Sequence, residues 1–266
     1  MTGRPPPAAQ AAPFRTRVGA CWPGSRAVFR GADLHAELAD LDWMALYVFG
    51  ITGRRFAPAA VRLLHAIWVL TSYPDARLWN NRVAALAGSA RSTSVLALSG
   101  AVAVTEAGIF GGGPGIRAID FFRRAGVATA AGMPLRDFVG AELESRRIYG
   151  YGRPINILDE RLPALQAKVA ALGFDGGRHY RLAFEVERLL VEEHKPFLKM
   201  NYAAATAALA ADLGFTPREY HLFNILKTLA GMPPCIMEAT EQPAGTVFAT
   251  PCAGVTYGGP PPRRWD

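Results

Sequence analysis

The sequence predicts a mainly α protein. Apolar residues recur at three- and four-residue steps along most of its 266 residues. Helix start and stop signals punctuate those stretches, and no strand ladder or internal repeat stands out. Such a pattern, with ample apolar material, fits one large domain or two modest ones built from packed helices.

The chain opens on a stretch, 1–20, rich in Pro, Ala and Arg and without a continuous apolar segment. It does not have the form of a secretory signal, and 1–30 is expected as a disordered or extended tail. Leu34, Leu38, Leu41, Ala45 and Val48 then place a helix over 33–49, stopped by Gly50-Ile51-Thr52-Gly53. Pro58 opens the next, which runs to 72 with Val61, Leu64, His65 and Trp68 on one face, so His65 reads as a core histidine.

A short helix over 80–90 precedes a longer one over 92–107 made mostly of small residues, which allow close packing. Helices are expected at 116–125, directly after the glycine run, and at 134–147, where Asp137, Glu142 and Glu144 read as a solvated face. Two more follow at 162–172 and 180–193, then the alanine-rich 201–213. Thr216-Pro217-Arg218-Glu219 is a capping box with proline at the first helical position, starting a helix to about 230. Gly231-Met232-Pro233-Pro234 reads as its end, followed by a short helix through 241 and an extended tail over 251–266.

The formal charge of +7, from 29 basic and 22 acidic residues, suits anionic ligands. The basic residues are not interleaved with aromatics in a stripe, so small phosphates or carboxylates are expected rather than nucleic acid. Cys21, Cys235 and Cys252 are odd in number and lack metal-ligand spacing, which points to a reduced, cytoplasmic setting with no metal. No run of about eighteen uncharged apolar residues is present to span a membrane. His35, His179, His194 and His221 read as isolated and water-facing.

The stretch richest in chemistry is Gly150-Tyr151-Gly152-Arg153-Pro154, running on to Asp159-Glu160-Arg161. Two glycines and a proline let a backbone approach a ligand, though Gly-Tyr-Gly is also ordinary turn chemistry. Its company is informative: Gly111-Gly112-Gly113-Pro114-Gly115 lies about forty residues before it and Lys199-Met200-Asn201-Tyr202 about forty after, each heading a helical pattern. Backbone amides at such a helix start favour an anion.

In order, Gly88-Ser89-Ala90, Phe110-Gly111-Gly112-Gly113-Pro114, Gly150-Tyr151-Gly152-Arg153, Asp159-Glu160-Arg161, Asn201-Tyr202-Ala203 and a tail with Arg263-Arg264 resemble the motifs of the citrate synthase superfamily, which includes the citryl-CoA lyase modules. The resemblance covers about 33–264, and the short length is similar to the lyase-type modules. It implies a two-domain helical fold and a homodimer, with 114–201 as a small CoA-binding domain closing on a large one built from 31–113 and 202–250. It further implies CoA or acetyl-CoA and a small oxo acid as ligands, with no metal and no covalently bound cofactor.

The family makes or breaks a carbon–carbon bond between a thioester methyl and an oxo-acid carbonyl, using one carboxylate base and two histidines. By the resemblance those three positions fall on Ala203, Phe110 and Arg153. Alanine accepts no proton, phenylalanine donates no hydrogen bond, and arginine donates but does not act as base or acid near neutrality. Arg161 matches the arginine that grips the oxo-acid carboxylate, although a lone arginine equally suits a solvated face. Gly150, Tyr151 and Gly152 match the loop that holds the CoA adenine end, and Arg263 or Arg264 could reach across a dimer. Glu106, one turn before Phe110, either offers a carboxylate to the same pocket or is a paired or solvated residue. The sequence leaves two functions open: an acyl-CoA-dependent acyltransferase or citryl-CoA lyase, or a non-catalytic paralogue acting as sensor or partner subunit.

Overall fold

The computed structural model describes residues 14–106, 111–153, 158–261 and 263. Contacts divide the chain after Val61 into two units.

The first unit holds a three-stranded antiparallel sheet, β1 (Gly19–Trp22), β2 (Arg26–Phe29) and β3 (Ala32–Asp33), with Gly19 opposite Phe29 and Phe29 opposite Ala32. This sheet corrects the expectation of no strand ladder. Strands of four, four and two residues are too short for alternation to register in the sequence. Most of the expected tail beyond Gly19 is therefore extended and paired.

The helix expected over 33–49 is also corrected. Asp33 takes the amides of His35 and Ala36 on its own carboxylate, a local turn that competes with helix. The helix α1 (Trp43–Thr52) starts only after Asp42, whose side chain accepts from the Ala45 amide, and stops at Gly53 in the left-handed conformation. Arg30 donates to the carbonyls of Gly50 and Ile51 at its C-terminal end, where a cation is favoured. Phe49, Leu38 and Ala32 form this unit's small core.

The division falls within α2 (Pro58–Thr71). His65, expected in the core, is exposed and lies against the Trp68 ring at 6.1 Å between centroids.

In the second unit, α3 (Trp79–Ser89), α4 (Ser94–Ala103) and α11 (Met232–Glu241) pack through Ala84, Ala85, Ala97, Ala101, Cys235 and Ile236. Small side chains allow the close approach expected of the 92–107 stretch, which continues into a 3₁₀ turn, Val104–Glu106. The helix α5 (Gly112–Ala130) begins inside the glycine run, four residues earlier than expected. Its glycines have a packing reason: a Cβ on Gly115 would lie 2.6 Å from Asn224 Nδ2.

Next come α6 (Leu135–Ser145), α7 (Leu162–Ala171), α8 (Arg178–Glu193) and α9 (Tyr202–Asp212). Glu142, expected on a wet face, is buried on α6 and paired with Arg124 of α5. Alanine dominates α9 because α5 and α8 enclose it, and every residue from Ala204 to Ala211 is buried.

The capping box of Thr216 and Glu219 starts α10 (Pro217–Ile225) as expected. That α-helix does not run on to 230. It tightens at Ile225 into a 3₁₀ turn, Leu226–Gly231, and α11 follows without a loop. Pro233 and Pro234 therefore begin a helix instead of ending one, because a first turn needs no N–H from them.

Candidate active site

Three stretches converge at the start of α9. Asn201 caps that helix by accepting from the Ala203 amide, donates through Nδ2 to the Gly152 carbonyl, and donates its own amide to the Gly150 carbonyl. The Gly152 amide donates to the Lys199 carbonyl, and Tyr151 bridges Met200. Gly150 has φ 101°, and a Cβ there would sit 2.5 Å from the Ala204 methyl, so glycine is required both by its conformation and by its closeness to α9. Tyr151 is a buried anchor, its hydroxyl donating to the Ala183 carbonyl. The loop expected to hold an adenine thus spends several of its peptide groups on the protein itself.

The Asp159 carboxylate lies at the centre of the next stretch. Its side chain has no solvent exposure and receives Arg161 Nε at 2.8 Å, Arg161 Nη2 at 2.7 Å and the Tyr202 amide at 2.9 Å. Burial would raise this carboxyl, yet the hydrogen bonds and charge of Arg161 and the Tyr202 amide outweigh it and hold it below its ordinary range. Arg161 is not a solvated surface residue. Its guanidinium stacks 4.5 Å from the Tyr202 ring centroid and 5.7 Å from that of Tyr73, and 22% of its side chain remains exposed. Among the described residues none hydrogen-bonds its Nη1. Arg153 sits beside the pair, 3.9 Å from Asp159, with Nη1 donating to Glu160 Oε2 and to the Leu158 carbonyl.

Lys227, on the 3₁₀ turn after α10, is buried beneath this cluster. Its Nζ lies 3.4 Å from both Thr206 Oγ1 and the Tyr220 hydroxyl, which share a 2.9 Å hydrogen bond, and 5.8 Å from the Tyr202 ring centroid. Among the described residues no carboxylate pairs with it. Burial, then the nearby charge of Arg161, pulls its ammonium down to about 7.

The sequence profile of the family "Citrate synthase, C-terminal domain" matches residues 12–244. The chain belongs to the citrate synthase C-terminal domain family. No curated protein sequence is similar to it at a significant level. Among solved structures it is similar to citryl-CoA lyase from Hydrogenobacter thermophilus, with a TM-score of 0.83 and 20% identity over 95% of this chain and 97% of that one. ATP citrate lyase from Methanothrix soehngenii, in complex with citrate and coenzyme A, gives 0.76 and 17% over 95% of this chain and 42% of that one. Citrate synthase from Pyrobaculum aerophilum gives 0.64 and 16% over 85% of this chain and 55% of that one. These likenesses show the fold: the short, lyase-like form of the citrate synthase helical architecture.

Within that citrate synthase fold, the residues singled out from the sequence are only partly gathered. Arg153, Arg161 and the Gly150 to Gly152 loop meet at the head of α9, where Ala203 offers only a methyl group. Phe110 and Arg264 lie outside the described residues, and Arg263 is exposed in the C-terminal segment. Glu106 is half-exposed and pairs with His221 Nε2 at 3.5 Å beside Gly112. This overturns the view of His221 as isolated, and His179, likewise expected to face water, is bonded to Asp212. His221 Nδ1 is buried with no partner among the described residues.

Asp159 and Lys227 were the residues sequence reasoning did not single out by role. A signal for Lys227 existed: it interrupts an apolar run, and the chain has four lysines against 25 arginines. Among the described residues no group of three or more His, Cys, Asp or Glu could hold a metal ion. None of their helices is long and apolar enough to cross a membrane.

Proposed function

We propose that this chain binds a CoA thioester together with a small oxo- or hydroxy-carboxylate, and that Arg161 grips the carboxylate. The observation that carries this is the bracing of Arg161: two of its donors are fixed by buried Asp159, which orients the guanidinium and leaves Nη1 for an anion. For the CoA end, support comes from a cleft of about 320 Å³ directly before the glycine loop, where Arg117, Arg146, Arg147 and Tyr149 line the wall beside Arg124, which is paired with Asp120 and Glu142 of the same wall. Cations beside an aromatic ring suit phosphates attached to a base. Turnover would be carbon–carbon bond formation or cleavage of the citrate synthase or citryl-CoA lyase type. A homodimer, a small domain over 114–201, and a cytoplasmic setting accompany this reading.

A specific observation favours the second reading, a non-catalytic paralogue serving as ligand sensor or partner subunit. Ala203 supplies no base, and Arg153, at the carbonyl-polarising position, already donates to Glu160 and Leu158. Titration calorimetry with CoA, acetyl-CoA, oxaloacetate and citrate, with product assayed in the same samples, separates the two. Binding with turnover supports the enzyme, and binding without turnover supports the sensor. Failure of Arg161→Ala to weaken carboxylate binding would remove the grip assigned to Arg161.

A further inference from the structure

We propose that Lys227 forms an imine with the carbonyl of a 2-oxo acid whose carboxylate is held by Arg161. This rests on the carboxylate-binding reading above and adds a covalent step to it.

The lysine is out of place on ordinary grounds. It is 6% exposed, and its hydrogen-bond partners among the described residues are two hydroxyls at the long distance of 3.4 Å. The buried carboxylate of the cluster, Asp159, is already committed to Arg161 and the Tyr202 amide. A permanently charged ammonium in such surroundings is costly, since buried charges need a partner. Burial and the Arg161 charge resolve this by leaving a large fraction of the amine neutral near pH 7.

Residue choice supports the same conclusion. With 25 arginines to four lysines, this chain places arginine at nearly every cationic position, including Arg153 and Arg161 of the cluster itself. Where only a cation is needed to hold a carboxylate, arginine's planar fork is the better donor. Lysine differs from it by being able to lose its proton and act as a nucleophile. Its surroundings also suit a small oxo acid: Arg161 and Lys227 contact the same Tyr202 ring, at 4.5 and 5.8 Å from its centroid. Arg161, with 22% of its side chain exposed, also lies 5.7 Å from the ring centroid of half-buried Tyr73.

The chemistry balances without oxidant or reductant. The neutral Nζ adds to the carbonyl carbon, one of its protons passes to the carbonyl oxygen, and a carbinolamine forms. Loss of one water then leaves the C=N bond. The hydrogen-bonded Thr206 and Tyr220 hydroxyls stand where they can relay the proton.

The test is reductive trapping on the full chain. Wild-type protein at pH 7 is incubated with pyruvate, oxaloacetate or 2-oxoglutarate and sodium borohydride, and the adduct is located by peptide mass mapping. Exposed Lys168 and Lys195 and half-buried Lys199 are the internal controls. An ordinary lysine is less than about a thousandth neutral at this pH, so Lys227 should be labelled at least about tenfold above them. Arg161→Ala should lower that labelling about tenfold at fixed oxo-acid concentration. Lys227→Arg should lose the label while retaining its circular dichroism spectrum, and Lys227→Met serves as a second variant should the arginine disturb folding.

Calorimetric binding of an oxo acid without an adduct at Lys227 overturns the imine alone and leaves the lysine a cation. Labelling spread evenly over all four lysines also overturns it. Absence of both binding and adduct removes the carboxylate site as well.

Discussion

Arg161 and Asp159 form a two-point ion pair in which the carboxylate is wholly buried and the guanidinium is open to solvent at one end. The carboxylate also accepts the Tyr202 amide, so a single side chain joins the Asp159-Glu160-Arg161 stretch to the first residue of α9. What holds the candidate ligand group therefore also holds the fold.

Replacing Arg161 by alanine leaves a buried carboxylate without its charge partner. The expected cost is about 3 kcal/mol, the low end for breaking a buried pair because the arginine is partly exposed. Urea unfolding of Arg161→Ala measures it, and a loss under about 1 kcal/mol would show the pair to be energetically superficial.

The same pair sets an acid limit. Asp159 titrates lower in the folded chain than in the unfolded one, so its contribution is complete above the unfolded value of about 4. It is lost as pH falls through the lower folded value. Stability measured from pH 7 downward should therefore decline on the acid side of about 4, with a shallower slope in Asp159→Asn. An unchanged slope would assign the acid sensitivity to other carboxylates.

The two loop glycines should respond unequally to alanine. Gly150 combines φ 101° with a Cβ position 2.5 Å from Ala204, so strain and overpacking add to at least about 2 kcal/mol. Gly152 has φ 77° but its nearest contact is an ordinary 3.4 Å to Leu198, so about 1 kcal/mol is expected. Thermal melts of the two variants check the order, and equal losses would contradict the packing account.

Ala203→Asp places a carboxylate at the head of α9, where the helix dipole favours it. If the thioester methyl reaches this position, methyl deuteration of acetyl-CoA in D₂O should rise about a hundredfold over wild type, the usual worth of a placed base. Proton NMR follows the methyl signal. No rise in a variant that still binds acetyl-CoA would place the methyl elsewhere.

Asp212 closes the start of α8 from a distance, accepting the His179 amide at 2.8 Å, the Tyr180 amide at 2.9 Å and the His179 ring. Asp212→Ala should cost about 1–2 kcal/mol, as for loss of a helix cap. Denaturant midpoints would register this without any change in ligand affinity.

The periodic apolar pattern, the capping box at Thr216 and the alanine-rich α9 made the helical fold legible, because each reflects a local rule of helix formation and burial. The order of glycine loop, Asp159-Glu160-Arg161 and Asn201 was legible as motif, and these do meet at one helix end. Local rules failed where competition was local or the elements short: the Asp33 turn displaced a helix, and β1 to β3 carried too few residues to register.

Sequence by itself determined the helical class and the family, and it proposed Ala203 and Arg153 as substituted positions. Tertiary structure alone decided that Glu142 and Asp159 are buried with arginine partners, that Arg153 donates to Glu160, and that Lys227 lies buried with no carboxylate partner among the described residues. The physical reason is that the protonation and hydrogen bonding of a charged group depend on which distant side chains and how little water surround it. Residues far apart in the chain supply both, as Thr206, Tyr220 and Arg161 do for Lys227.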